Sequence, residues 1–297
     1  MDSIEGLLPA ALTPMKQGGD LDLDIVGTQA SYFKDVGAAG VFINGTSGEW
    51  TSLTVEERKS LTSEWGRQAD EGFFVVDHVG HHCQRDGISL AKHAADSGVH
   101  AISVVAPSYF PMESAQDIVD WCAPIASAAD GLPFIYYDLP QLTGVSVPAF
   151  EVALEAKERI PTFSGIKYSG IDPVGLQRCI AQGGYQVFWG SDESLLVGLS
   201  LGCKAAVGST YNLMIPLYKR IISAYHAGDL ESARRLQHLS LRAVESMIPH
   251  GVIPSLKALQ TLTGYTLGAC RPPFRQVSAA DSIQLSEDIL ALGVIEP

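Results

Sequence analysis

Lys167, set in the apolar segment FSGIKYSG, is the residue of this chain best suited to covalent chemistry. A cation is expensive in an apolar interior, so burial favours the neutral amine, which can attack a ketone and form a Schiff base. A surface lysine, or one paired to a buried carboxylate, is the alternative reading. Strand parity puts Lys167 on the same face as Gly165, and a glycine there would leave room for a substrate beside the amine. Tyr137, in FIYYDLP, offers a phenol suited to moving a proton between a leaving hydroxyl and a new carbonyl, with a packed aromatic as the simpler role. Thr46 and Ser47, in NGTSGE, supply two hydroxyls on a glycine-loosened backbone whose N–H groups could hold a carboxylate without a cation. An ordinary polar turn fits the same residues. Asp192 and Glu193 could bind sugar hydroxyls, or Ser191 or Asp192 could simply cap the following helix.

Elements able to hold these residues together recur along the chain. Eight short β-rich apolar runs are expected as strands: Leu7–Leu12, Gly40–Asn44, Phe73–His78, Ala101–Ala106, Pro133–Asp138, Phe163–Tyr168, Tyr185–Gly190 and Ala205–Ser209. Between them lie segments of helical periodicity such as Leu23–Val36, Thr54–Ala69, Arg85–Ser97 and Ala115–Ala128, with a Thr54/Glu57 capping box on the second. Eight successive βα units imply an α/β fold, a closed (β/α)8 TIM barrel over residues 1–212, because an open sheet of that length leaves two edges to protect. Residues 213–297 read as a C-terminal helical extension packed on the barrel. An open doubly wound sheet is the competing fold, but no GxGxxG or GxxxxGK[ST] follows a strand. Barrels of this kind build their sites at the C-terminal ends of the strands, where Lys167, Tyr137, Thr46, Ser47, His78, Tyr109, Asp192, Glu193 and Ser209 all fall.

Composition narrows the function classes. With 33 acidic against 20 basic residues the formal charge is −13, which provides no basic field for nucleic acid or anionic lipid. No apolar stretch approaches a membrane span, and no basic region precedes the short apolar run at the N-terminus. The 18% of charged residues is low for an isolated monomer and points to a homo-oligomer. Five scattered cysteines without a CxxC pair fit a reducing cytoplasm. The eight histidines, chiefly His78, His81 and His82 beside Cys83, raise a metal site, but no HExxH pattern or carboxylate cluster completes one. Neither a metal nor an organic cofactor is expected. Trp50 and Tyr136 read as packing residues or pocket walls.

Taken together, LPAALTP, INGTSGEW, VVDHVG, APSYF, YYDLPQLTGV, FSGIKYSG, GSDESLLVGLSLG, AAVGSTYN, PSLKALQ and RPPF resemble, in order, the N-acetylneuraminate lyase / dihydrodipicolinate synthase family of pyruvate-dependent lyases. The resemblance implies that Lys167 is the Schiff-base lysine, that Tyr137 shuttles protons, and that Thr46 and Ser47 hold the pyruvyl carboxylate. It implies further that Tyr109 completes a hydroxyl relay, in this family often across a subunit interface, and that the assembly is a tetramer. Leu142 stands where the dihydrodipicolinate synthases carry an arginine, which argues against aspartate semialdehyde as second substrate. The branch that cleaves N-acetylneuraminate to N-acetylmannosamine and pyruvate is the better likeness, with Gly190, Asp192, Glu193, Gly208 and Ser209 around the polyhydroxy tail. Two departures stand out: the Gly45-Thr46-Ser47 order, which keeps the hydroxyls, and Trp50, bulkier than the family's usual small residue. Trp50 keeps open an aldolase or dehydratase for another 2-oxo-3-deoxy acid. A catalytically silent sugar-acid-binding barrel is the non-enzymatic alternative.

Overall fold

Strands buried on both faces should be apolar almost throughout, and the eight strands of the computed structural model, which describes residues 3–295, are of that kind. They are Gly6–Pro9 (β1), Gly40–Ile43 (β2), Phe74–His78 (β3), Ala101–Val105 (β4), Phe134–Asp138 (β5), Phe163–Tyr168 (β6), Gln186–Trp189 (β7) and Ala205–Gly208 (β8). All pair in parallel, in the order β1-β8-β7-β6-β5-β4-β3-β2. The ring closes between β1 and β2, where the Ala39 N–H donates to the Leu7 carbonyl and the Ala11 N–H to the Phe42 carbonyl, each at 2.9 Å. Leu8, Phe42, Val76, Val105, Ile135, Tyr137, Phe188 and Val207 fill the inside of the barrel. Their neighbours of opposite parity, such as Val41, Val75, Val104, Tyr136, Ile166 and Trp189, pack against the helices.

The expected strands are all present, and most extend too far at their C-terminal ends. Past the end of β1, for example, Ala10 and Ala11 still bond the Gly208 and Phe42 carbonyls, and Leu12 stays apolar because it is fully buried. The intervening helices are Ile25–Asp35 (α1), Val55–Gly66 (α2), Gln84–Ala95 (α3), Ala115–Ser127 (α4), the single turn Pro140–Thr143 (α5), Ala149–Arg159 (α6), Pro173–Gln182 (α7) and Leu195–Leu201 (α8). The expected capping box opens α2: the Thr54 hydroxyl accepts from the Glu57 N–H, and the Glu57 carboxylate from the Thr54 N–H.

Four helices follow β8: Tyr211–His226 (α9), Leu230–Met247 (α10), Val252–Leu259 (α11) and Ala279–Ala291 (α12). α9 touches β1 and β8 and so takes the place of the eighth barrel helix, and the 212/213 division falls within its first turn. Among the described residues, no helix is long and apolar enough to cross a membrane. The five cysteines are unpaired, and only Cys83 is exposed.

Candidate active site

The strand register sets Lys167 between Tyr137 of β5 and Phe188 of β7, all three facing the barrel interior. Lys167 is buried, with its Nζ 3.9 Å from the centroid of the Tyr137 ring and 4.0 Å from that of Phe42. Among the described residues no carboxylate forms an ion pair with it, while Lys34, Lys59, Lys204 and Lys257 each pair with one. An amine so placed has aromatic faces to rest on and open cavity before it. Gly165 has another role than the one expected: a Cβ there would lie 2.7 Å from the Gln186 carbonyl oxygen and 3.3 Å from the Phe188 ring. The glycine lets β7 and its phenylalanine close in beneath the lysine; it does not make room for a substrate.

The Tyr137 hydroxyl is 3.2 Å from Thr46 Oγ1, and Ser47 Oγ is 2.7 Å from Ser209 Oγ. Four hydroxyls from β5, the loop after β2 and the end of β8 thus converge beside Lys167. They line one cavity of about 400 Å³ with Lys167, Gly190, Asp192, Glu193 and Gly208, all expected from the sequence. Gln141, Ser169, Ser191, Ile171, Val244 and Val252 also line it and were not expected there. Ser169 and Ser191 lie inside the segments FSGIKYSG and GSDES, so a search for hydroxyls next to Lys167 and Asp192 would have found them. Val244 and Val252 come from the helical extension and carry no chemical signal.

The hydroxyl loop is held from below by residues distant in sequence. Asn44 and Glu49 both have positive φ, 54° and 58°, an uncommon conformation for residues with a side chain. Gly45 is required because a Cβ would meet the Phe42 ring at 2.7 Å. The fully buried Glu49 carboxylate pairs with Lys257 of α11 at 2.5 Å and accepts the Arg271 N–H at 2.8 Å. His78 donates from Nδ1 to the Asn44 carbonyl at 2.8 Å, and burial together with the nearby Arg58 keeps its basicity well below the ordinary histidine range. Behind it, Arg58 bonds the carbonyls of His78 and Gly80, and Asp77 accepts from Asn44 and Thr62 at 2.8 Å each. This neutral imidazole is a strut for the loop. Among the described residues, no group of three or more His, Cys, Asp or Glu side chains converges in a way that could hold a metal ion.

Asp192 and Glu193 part company. Glu193 is exposed at the mouth, whereas Asp192 is buried and its Oδ2 accepts from both the N–H and the hydroxyl of Thr210, at 2.6 and 2.7 Å. Neither Ser191 nor Asp192 caps a helix with its side chain, so the helix-cap alternative is set aside: the carboxylate is committed to Thr210, between β8 and α9, instead. Burial pushes the Asp192 carboxyl up to about 6, against the opposing pull of the Thr210 bonds. Gly208 is the hollow into which this carboxylate fits, since a Cβ there would stand 2.2 Å from Oδ1. Gly190 is equally tight, with its would-be Cβ 2.2 Å from Ser169 Oγ.

Tyr109 is not brought to Tyr137 within one chain. It is 82% exposed on the loop after β4, edge-on to the exposed Phe110. Trp50 packs edge-on to His78 and against Arg58, and it lines an adjoining cavity of about 240 Å³ with His82, Leu142 and Phe274, which shares Thr46 and Leu139 with the Lys167 cavity. Its ring lines that neighbouring space and not the wall around Lys167. Tyr136 faces the helices as core.

Known proteins resemble this chain over nearly its full length. An N-acetylneuraminate lyase of Rattus norvegicus is 35% identical over 93% of this chain and 88% of its own. The structure of Proteus mirabilis N-acetylneuraminate lyase superposes with a TM-score of 0.96 at 28% identity, covering 99% of this chain and 100% of that one. A Ruminococcus gnavus sialic acid aldolase, described as a catalytic lysine mutant, superposes at 0.91 with 27% identity over 98% of this chain and 97% of that one. The sequence profile of the dihydrodipicolinate synthetase family matches residues 3–292, and with the rat relative this establishes that the chain belongs to that family.

Proposed function

We propose that the protein is a class I aldolase-type lyase that cleaves N-acetylneuraminate to N-acetylmannosamine and pyruvate through a Schiff base on Lys167. The observation that carries this reading is a buried lysine without a carboxylate partner, beside a phenol that is itself hydrogen-bonded to a threonine hydroxyl. Relatives named as N-acetylneuraminate lyases and sialic acid aldolases support the substrate.

In the reaction, Lys167 Nζ adds to the C2 ketone of the open-chain substrate, and the Tyr137 hydroxyl protonates the departing carbinolamine oxygen, which leaves as water. The resulting iminium draws electrons from the C3–C4 bond. As that bond breaks, the C4 hydroxyl passes its proton to the Tyr137 phenolate and N-acetylmannosamine departs. The pyruvate enamine is then protonated at C3, and water hydrolyses the imine. Thr46, Ser47 and the backbone N–H groups around them hold the pyruvyl carboxylate, an anion site that needs no cation. Asp192, Glu193 and Ser209 take the hydroxylated tail, with Gly208 and Gly190 making room for the Asp192 carboxylate and the Ser169 hydroxyl that line the same cavity.

Tyr109 enters this scheme from a neighbouring subunit of a tetramer, consistent with its exposure beside Phe110. The proposed compartment is the cytoplasm, and the proposed division between barrel and extension follows α9. The alternative of another 2-oxo-3-deoxy acid drew on Trp50, whose ring lines the cavity adjoining that of Lys167. Steady-state turnover of N-acetylneuraminate beside two other 2-oxo-3-deoxy acids tests the substrate: the nine-carbon acid is expected to have the highest kcat/KM. Release of pyruvate from the shorter acids only would reject it and leave the lyase chemistry standing.

A further inference from the structure

The Asp192 carboxylate is the end of a hydrogen-bond chain that begins on α9, the helix after β8. Its Oδ2 takes both Thr210 donors, at 2.6 and 2.7 Å, and Thr210 Oγ1 lies 2.7 Å from the hydroxyl of the fully buried Tyr218 on α9. The direction of this chain is fixed. A carboxylate has no proton to give, so the one Thr210 hydroxyl proton goes to Oδ2, and Tyr218 must donate to Thr210. From α10, Gln237 Nε2 donates to the Asp192 backbone carbonyl at 3.1 Å and to Ser240 Oγ at 2.7 Å. With Oδ2 saturated, Oδ1 is the oxygen left: it lies over Gly208, and among the described residues no protein donor bonds it. Packing does not require a phenol at this position. The Tyr218 ring rests edge-on to Tyr211 at 4.7 Å, a contact phenylalanine would keep.

We propose that Thr210 and Tyr218 are positioning residues for substrate specificity, locking the Asp192 carboxylate so that a single oxygen, Oδ1, faces the cavity to accept a hydroxyl of the substrate tail. This rests on the reading of the cavity given above. It makes α9 part of the specificity apparatus.

The test compares kcat/KM for N-acetylneuraminate with that for a short 4-hydroxy-2-oxo acid that has no hydroxyl beyond C4. Tyr218→Phe should lower the first by about 3- to 10-fold, the scale of one lost buried hydrogen bond, chiefly through KM, and change the second by less than about twofold. Thr210→Val should do more, and Thr210→Ser should restore most of the loss. The double variant Tyr218→Phe/Asp192→Asn should be no worse than Asp192→Asn alone, because Tyr218 acts through that carboxylate. Equal losses on both substrates, or losses that multiply with Asp192→Asn, would overturn the proposal and mark Tyr218 as a general core residue. Failure of the unmodified protein to form an imine with pyruvate would instead reject the lyase reading beneath it.

Discussion

Replacing Lys257 by methionine should uncouple the hydroxyl loop from the helices that support it. The lysine is almost fully buried and its ammonium lies 2.5 Å from Glu49, whose side chain is also without solvent exposure. Methionine fills much of the same volume, so the main loss is electrostatic: Glu49 keeps the Arg271 N–H but loses its counter-charge. Breaking one side of a buried pair costs about 3–5 kcal/mol, and the remaining N–H bond argues for the lower end, about 3 kcal/mol. In a chain of this size that corresponds to a fall of roughly 5 °C in Tm. Because Glu49 has a positive φ at the end of the loop bearing Thr46 and Ser47, pyruvate binding should weaken in the same variant. The assay is a double-mutant cycle read by thermal melts and by pyruvate trapping. Glu49→Gln combined with Lys257→Met should be less destabilised than the sum of the two single changes by about 2 kcal/mol or more. A loss below about 1 kcal/mol in Lys257→Met, or simple additivity in the cycle, would refute the claim that this pair supports the loop.

Tyr137→Phe preserves the ring on which Lys167 rests and removes only the hydroxyl bonded to Thr46, so kcat should fall on the order of 10²–10⁴-fold while slower imine formation persists; unchanged kcat would remove Tyr137 from proton transfer. Asp138 is buried behind Tyr137 and burial pushes its carboxyl up to about 7, so the native state holds this proton more tightly than the unfolded chain does. The stability it favours is complete below about pH 4 and is lost as pH rises towards 7, by about 2–4 kcal/mol. Asp138→Asn cannot ionise and should gain that much on the parent between pH 4.5 and 8 in denaturant melts; a pH-independent difference would show that the carboxyl does not titrate in this way.

The strands were readable because burial on both faces forces nearly continuous apolar runs, and the order of those runs dictates the barrel. Lys167 was readable for a related reason, as a lone cation in such a run. Strand parity placed it correctly, but parity alone could not tell that Gly165 serves the approach of Phe188. The supports of the site were harder to see. Glu49 with Lys257, Arg58 with the His78 carbonyl, and Asp192 with Thr210 join segments that only the closed barrel brings together. Asp192 shows the ambiguity well: a carboxylate ahead of a helix suits a cap in local sequence, and only the fold reveals that Thr210, just past β8, has taken it. Tyr109 carries a family role that one chain does not complete.

The central claim is the covalent role of Lys167, and reductive trapping tests it most directly. Incubation with pyruvate and sodium borohydride should add one reduced pyruvyl group per chain, mapped by mass spectrometry to the FSGIKYSG peptide, and Lys167→Ala should abolish both the adduct and nearly all turnover. An adduct on another lysine, or an active Lys167→Ala variant, would contradict the Schiff-base account.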